Sequence, residues 1–194
     1  MLELVYLDGP AEIIPSPTAE NPYQVVKGEY FPVVEPCGLV VGKALRSYCH
    51  SGAKVLHPVV HLHIIDREGR IFLQKRSMTK DIQPGKWDTA VGGHVDYGES
   101  IKEALYREVS EELGLVNFNP IPLMTYEFES SIERELVNVF AAVGSFELKP
   151  DPEEIDDARF WTLEEVEASL EKSILTPNFE SEFLQIKDKL KALL

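Results

Sequence analysis

The stretch GHVDYGESIKEALYREVSEELGL, Gly93 to Leu115, decides how the rest of this 194-residue chain is read. The spacing predicts a helix over 99–113, closed by Gly114 in the position that favours left-handed backbone. At about 100° per residue, Leu105, Val109 and Leu113 form its buried stripe. Glu108, Glu111 and Glu112 stand at i, i+3 and i+4 and share one face, where like charges cost ~0.2–0.5 kcal/mol per pair. Glu112 falls at the edge of the apolar stripe, whereas a surface helix would put its acids on the far side. Carboxylates partly withdrawn from water need a cation, and hard divalent ions prefer such oxygens. Arg107 lies four residues before Glu111 and can hold a carboxylate in orientation. Gly93 and Gly98 let the preceding loop bend tightly and bring backbone carbonyls close. An acid-rich, solvated helix is the competing reading, and geometry alone leaves both open.

The same stretch resembles the Nudix box: glycine, five residues, glutamate, seven residues, Arg-Glu, an aliphatic, any residue, Glu-Glu, any residue, glycine, an aliphatic. Gly93, Glu99, Arg107, Glu108, Val109, Glu111, Glu112, Gly114 and Leu115 match every specified position. Gln74-Lys75-Arg76 through Pro84-Gly85-Lys86-Trp87 and Arg159-Phe160-Trp161-Thr162 are also Nudix-like, so the likeness covers roughly residues 55–170. It implies an α/β fold, a Nudix-type α/β/α sandwich with a mixed sheet, and hydrolysis of a diphosphate linked to a second group. It implies Mg²⁺ or Mn²⁺ held by Glu108, Glu111, Glu112 and the Gly93 carbonyl, with Arg107 and Glu99 completing the catalytic set. Such ions bridge phosphate oxygens and lower the pKa of a bound water, whose proton a nearby carboxylate takes.

All five histidines, His50, His57, His61, His63 and His94, lie close together in sequence. His61 and His63 alternate on a predicted strand and share a face, which leaves core and surface both open. His50, His57 and His94 are arranged similarly to isopentenyl-diphosphate isomerase, a Nudix-fold family. That resemblance implies a second site, for Mn²⁺ or Zn²⁺, made from these three imidazoles with Glu133 and Glu135. It also implies Arg46, Arg76 and Lys80 as the residues that hold diphosphate. One departure weighs against isomerisation: the isomerase carries a proton-transferring cysteine just before the box glycine, and this chain has Gly92. Cys49, beside His50, reads as an ordinary buried thiol. The box glutamates, which isomerases tend to relax, are all kept. Hydrolysis therefore leads, an isomerase-like enzyme acting on an isoprenoid diphosphate is the alternative, and a non-catalytic sensor of a diphosphate metabolite ranks last.

Outward from the box, Phe31–Val34 and 38–41 read as short strands and 46–54 as a polar loop. Val59–Ile65 and 71–74 form a hairpin about Asp66–Arg70. A loop over 81–86 leads to a strand over 87–91, and 123–129 with 135–143 make a second hairpin. Arg159–Trp161 is a strand, and Thr162-Leu163-Glu164-Glu165 a capping box that opens a helix. The last helix, 178–194, presents Phe179, Phe183, Ile186, Leu190 and Leu193 at helical spacing. Residues 1–30, with Gly9-Pro10 and Pro15-Ser16-Pro17, suggest a strand-containing arm, and 1–194 a single domain.

The net charge of −14, from 33 acids and 19 bases, speaks against nucleic acid as a partner, since a phosphate-backbone binder needs a basic surface. No apolar run approaches a membrane span, and the N-terminus lacks a basic n-region. Two cysteines make no disulfide framework. A cytoplasmic protein acting on a small diphosphate is the expectation, with a homodimer left open.

Overall fold

The computed structural model describes residues 11–12, 28–80 and 82–194, so most of the expected N-terminal arm and Asp81 of the expected loop lie outside it. The elements run β1 (Ala11–Glu12), β2 (Tyr30–Val34), β3 (Val40–Leu45), α1 (Arg46–Cys49), β4 (Leu56–Ile65) and β5 (Ile71–Arg76). Next come β6 (Trp87–Asp88), β7 (Val91–His94), α2 (Ile101–Leu113), β8 (Ile121–Glu129) and β9 (Arg134–Val143). The chain closes with β10 (Ile155–Trp161), α3 (Leu163–Ser169) and α4 (Pro177–Lys191). One sheet is ordered β1-β3-β2; the larger is β10-β5-β4-β9-β8, with β6 against β5 and β7 against β4. Two compact units make up the chain. One takes residues up to Val59, His94–Ala104 and Thr125–Val137; the other takes Val60–Gly93, Leu105–Met124 and Asn138–Leu194.

In the first unit β2 and β3 pair antiparallel, and β1 runs parallel to β3. Phe31, Val33, Ala44 and Cys49 form one apolar cluster; Val34, Leu56 and Leu136 form another. The expected polar loop over 46–54 opens instead as the single turn α1, closed by His50 N–H donating to the Arg46 carbonyl at 3.1 Å. A lone turn is too short to show apolar periodicity, and the buried thiol of Cys49 anchors it. Burial pushes that thiol up to about 11.

In the second unit the β4–β5 hairpin turns as expected. Asp66 Oδ1 accepts the N–H groups of Glu68 (3.1 Å) and Arg70 (2.8 Å), while Gly69 takes φ +78°. β10 lies antiparallel on β5 from Trp161↔Ile71 to Ile155↔Arg76, a longer strand than the sequence suggests. The single strand expected over 87–91 is two. The chain leaves the ladder at Thr89, whose hydroxyl donates to the Leu62 carbonyl at 2.8 Å. The capping box at the start of α3 is as read, with Thr162 and Glu165 bonded reciprocally. Helix α4 starts on the Thr176 cap with Pro177 in its first turn and buries Phe179, Phe183, Ile186 and Leu190. Leu193 falls beyond its end and is only half-buried.

Helix α2 begins at Ile101 rather than Glu99. Ser100 caps it: Glu103 N–H donates to Ser100 Oγ at 3.2 Å, and Ser100 N–H to Glu103 Oε2 at 2.9 Å. Leu105, Val109 and Leu113 are fully buried, as the periodicity requires. At the other end Gly114 adopts φ +62° and ends the helix. The Leu113 and Glu112 carbonyls then accept the N–H groups of Lys149 and Asp151, both at 2.8 Å.

Candidate functional site

The three carboxylates of α2 occupy graded environments. Glu112 is 9% exposed, at the edge of the stripe formed by Leu105, Val109 and Leu113. The Glu108 side chain is mostly buried at 15% exposure, and that of Glu111 is open at 61%. Gln74 of β5 donates its amide N–H to Glu112 Oε2 at 2.9 Å. Arg107 Nη1 donates to Glu108 Oε1 at 2.9 Å and to Glu111 Oε2 at 3.2 Å, so one guanidinium nitrogen ties two acids together. Burial, and then the charge on Glu108, push the Glu112 carboxyl up to about 8; the Gln74 bond and the charges of Lys80 and Arg76 oppose this. A carboxylate so disfavoured by its surroundings fits a divalent cation, which would reverse the local field.

Gly93 belongs to this geometry. A Cβ added there would land on the Glu108 carboxyl, so only glycine lets that acid lie against β7. Gly98 takes φ +94° in the turn before α2. Glu99 lies in that turn, its Oε2 accepting the Asp96 N–H at 3.1 Å. Arg76 donates to the Ile82 carbonyl at 3.0 Å and to Asp88 Oδ2 at 3.3 Å, and Lys80 ion-pairs with Glu154.

The first unit brings together His50, His57 and His94, with one ligand nitrogen from each within 4.8 Å of the others. His57 is fully buried, and its Nδ1–H donates to the Val55 carbonyl at 2.9 Å. That bond sets the tautomer and leaves a lone pair on Nε2, which is buried without a hydrogen-bond partner. Burial, then the positive charge of Arg46, keep the His50 imidazole down at about 4; the His57 imidazole is also lowered, with burial the largest cause. His50 Nε2 and His94 Nε2 approach to 3.1 Å. Glu133 Oε2 lies 3.5 Å from His50 Nε2, and Glu135 Oε1 lies 4.0 Å from His94 Nε2. Phe31 stacks on His94 at 4.4 Å and on His57 at 5.5 Å between ring centroids. The lowered imidazoles of His50 and His57, an orphaned nitrogen and two nearby carboxylates suit a borderline metal such as Zn²⁺ or Mn²⁺. Arg46 Nη1 lies 3.4 Å from His94 Nδ1, and its Nε is 3.6 Å from Glu29.

Sequence reasoning misses three participants. Gln74 falls on an expected strand with no role, though a polar side chain in the inward register is its signal. Phe31 reads only as part of a strand. Glu182 sits on the apolar face of α4, three residues from Phe179, where an acid is out of pattern; it is fully buried against His61 and His63.

A family model described as NUDIX domain matches residues 55–180. The isopentenyl-diphosphate delta-isomerase of Leifsonia xyli subsp. xyli is 30% identical over 148 residues, 72% of this chain and 78% of that protein. An uncharacterised Nudix hydrolase of Yersinia pestis is 30% identical over 149 residues, 77% and 80% of the two chains. Among solved structures, one from Deinococcus radiodurans superposes with a TM-score of 0.70 at 22% identity, covering 81% of this chain and 98% of that one. The MutT protein from Methanosarcina mazei Go1 gives 0.61 at 27% identity, covering 70% and 96%.

Proposed function

This chain belongs to the NUDIX domain family, and on that premise we propose that it is a metal-dependent hydrolase cleaving a diphosphate bond in a small molecule. The fold is the family's α/β type, a mixed sheet with helices. The observation that carries the proposal is Glu112: buried beside Glu108, bonded to Gln74, and pushed up to about 8 by those surroundings. Glu108, Glu111, Glu112 and the Gly93 carbonyl would hold Mg²⁺ or Mn²⁺. When bound, the ion supplies charge neutralisation for the diphosphate oxygens and lowers the pKa of water.

The chain's own residues do the rest. Arg107 fixes Glu108 and Glu111, so neither carboxylate must reorganise as substrate arrives. Arg76 and Lys80, near enough to act on Glu112, would carry the substrate's negative charge; their present partners, Asp88 and Glu154, hold them until it arrives. In the first unit Arg46 pairs with Glu29 and lies against His94, and Glu99 stiffens the turn before α2. Among the described residues, no helix is long and apolar enough to cross a membrane. Incubation with Mg²⁺ and a panel of nucleoside, sugar and isoprenoid diphosphates should release a monophosphate or phosphate. A metal-loaded protein inert across that panel refutes the assignment.

A second reading is favoured by one specific observation, the assembly of His50, His57 and His94 with Glu133 and Glu135. These would hold Mn²⁺ or Zn²⁺, the set implied by the isomerase-like pattern, and relatives at 30% identity bear that enzyme's name. Gly92 offers no acid for proton transfer at carbon, which is why hydrolysis leads. Solvent deuterium in recovered isopentenyl diphosphate would establish isomerisation; its complete absence would remove it.

A further inference from the structure

Gln74 and Arg76 alternate on β5 and so share one face of the sheet. The ladder pairs Gln74 with Asp88 of β6, which puts the Asp88 side chain on that face too. It is the face that meets the box: Gln74 donates to Glu112 Oε2, and the charge of Arg76 acts on the Glu112 carboxyl. The chain between β5 and β6 closes on Arg76, whose N–H donates to the Lys86 carbonyl at 2.9 Å and whose carbonyl accepts the Gly85 N–H at 3.0 Å. Its Nε donates to the Ile82 carbonyl at 3.0 Å and its Nη1 to Asp88 Oδ2 at 3.3 Å. Among the described residues no hydrogen-bond partner meets Nη2, and the side chain is 23% exposed.

Asp88 is itself fixed. Its Oδ1 accepts the Thr89 N–H at 2.9 Å and the Thr176 hydroxyl at 3.0 Å, which leaves Oδ2 for Arg76. Thr176 is buried and its hydroxyl works in both directions, donating to Asp88 and accepting the Phe179 N–H at 3.2 Å as the cap of α4. Two backbone bonds hold that cap beside β6: Trp87 N–H to the Ile174 carbonyl at 3.0 Å, and Thr176 N–H to the Trp87 carbonyl at 2.9 Å. A carboxylate pinned at one oxygen aligns the planar guanidinium at the other, so the free Nη2 edge is oriented before any ligand arrives. An ion pair so placed is a weak device for stability alone.

We propose that Asp88 is a positioning residue that presents the Nη2 edge of Arg76 to a phosphate oxygen of the substrate, with Thr176 holding the Asp88 carboxylate. The inference rests on the diphosphate-hydrolase reading. Asp88 touches no substrate and acts through Arg76. Helix α4 thereby enters the site through its cap.

The test is calorimetric binding of methylenediphosphonate, a non-hydrolysable probe, to the full-length protein in saturating Mg²⁺. Asp88→Asn keeps the shape but leaves one acceptor, which the Thr89 N–H and the Thr176 hydroxyl both claim, so the amide N–H turns towards Arg76. Asp88→Asn and Arg76→Gln should each weaken binding about tenfold, and the double variant no more than Arg76→Gln alone. Thr176→Val should weaken it about threefold, and Thr176→Ser, which keeps both bonds, should bind as the wild type does. In guanidinium ¹⁵N spectra, with Arg76 assigned by its loss in Arg76→Gln, Nη1 and Nη2 should be resolved in the wild type and merge in Asp88→Asn. The wild-type Nη2 resonance should move when the probe binds. No binding by the wild type overturns the hydrolase reading and this inference with it. Binding that leaves Nη2 unmoved overturns this inference alone and needs no variant of Asp88. So do losses that add in the double variant, or an Asp88→Asn protein that binds as tightly as the wild type.

Discussion

Replacing Glu112 by Gln should make the cation-free protein more stable while removing its response to magnesium. The carboxyl is raised from an ordinary 4.5 to about 8 by burial and by Glu108, so the folded state favours the neutral form. A raised carboxyl stabilises fully below the unfolded value, and the contribution is lost as pH climbs through the folded one. Relative to an always neutral amide, ionisation in the unfolded chain then penalises the wild-type fold by about 3 kcal/mol at pH 7 and under about 1 kcal/mol at pH 5. The substituted side chain keeps a carbonyl oxygen to accept from the Gln74 amide, so little else changes. For a chain of this size ~3 kcal/mol corresponds to ~6–12 °C in Tm, an upper bound because the buried side chain relaxes. Thermal unfolding followed by circular dichroism, in EDTA and in millimolar Mg²⁺ at pH 5 and pH 8, measures it. The variant should melt higher in EDTA at pH 8 and nearly level at pH 5, and only the wild type should gain from Mg²⁺. A variant that melts no higher in EDTA at pH 8, or gains equally from Mg²⁺, refutes the reasoning.

Four further outcomes are expected. Gly93→Ala should leave Tm within a few degrees, because Glu108 is flexible enough to move, yet weaken Mg²⁺ affinity by about tenfold or more on calorimetry. His57→Gln should abolish Zn²⁺ or Mn²⁺ retention in metal analysis while Mg²⁺ binding to the box persists. With His50 lowered to about 4 in the fold, its stabilising contribution is present above its ordinary 6.5 and is lost as pH falls towards 4, which acid unfolding of the cation-free protein should register. Thr162→Ala removes the α3 cap and should cost about 1 kcal/mol in denaturant melts with turnover unchanged.

Elements carried by long-period patterns are legible in the sequence. Helix α2 and its buried stripe, helix α4, both hairpins and the Thr162 box follow from spacing, because one face of each is dry and the other wet. Boundaries set by a single side chain are not. Ser100 moves the start of α2, Thr89 splits a strand, and one turn at Arg46–Cys49 leaves no periodic trace. The box glutamates can be named because several fixed positions occur in one spacing. Their inequality cannot: Glu112 dry and Glu111 wet depends on β5 delivering Gln74 from 38 residues away. Glu182 is hidden for a similar reason, since its partners lie 119 and 121 residues upstream.

That long reach of Glu182 has a consequence for how the protein comes into being. During synthesis the strand bearing His61 and His63 emerges 119 to 121 residues before the carboxylate they bond. Until α4 is made the two rings lack the Glu182 oxygens that accept from them, so the nascent sheet must stay hydrated around them. Final closure of the second unit should therefore wait for α4, and ribosome-stalled chains cut short of residue 177 should remain sensitive to protease where chains that include α4 resist.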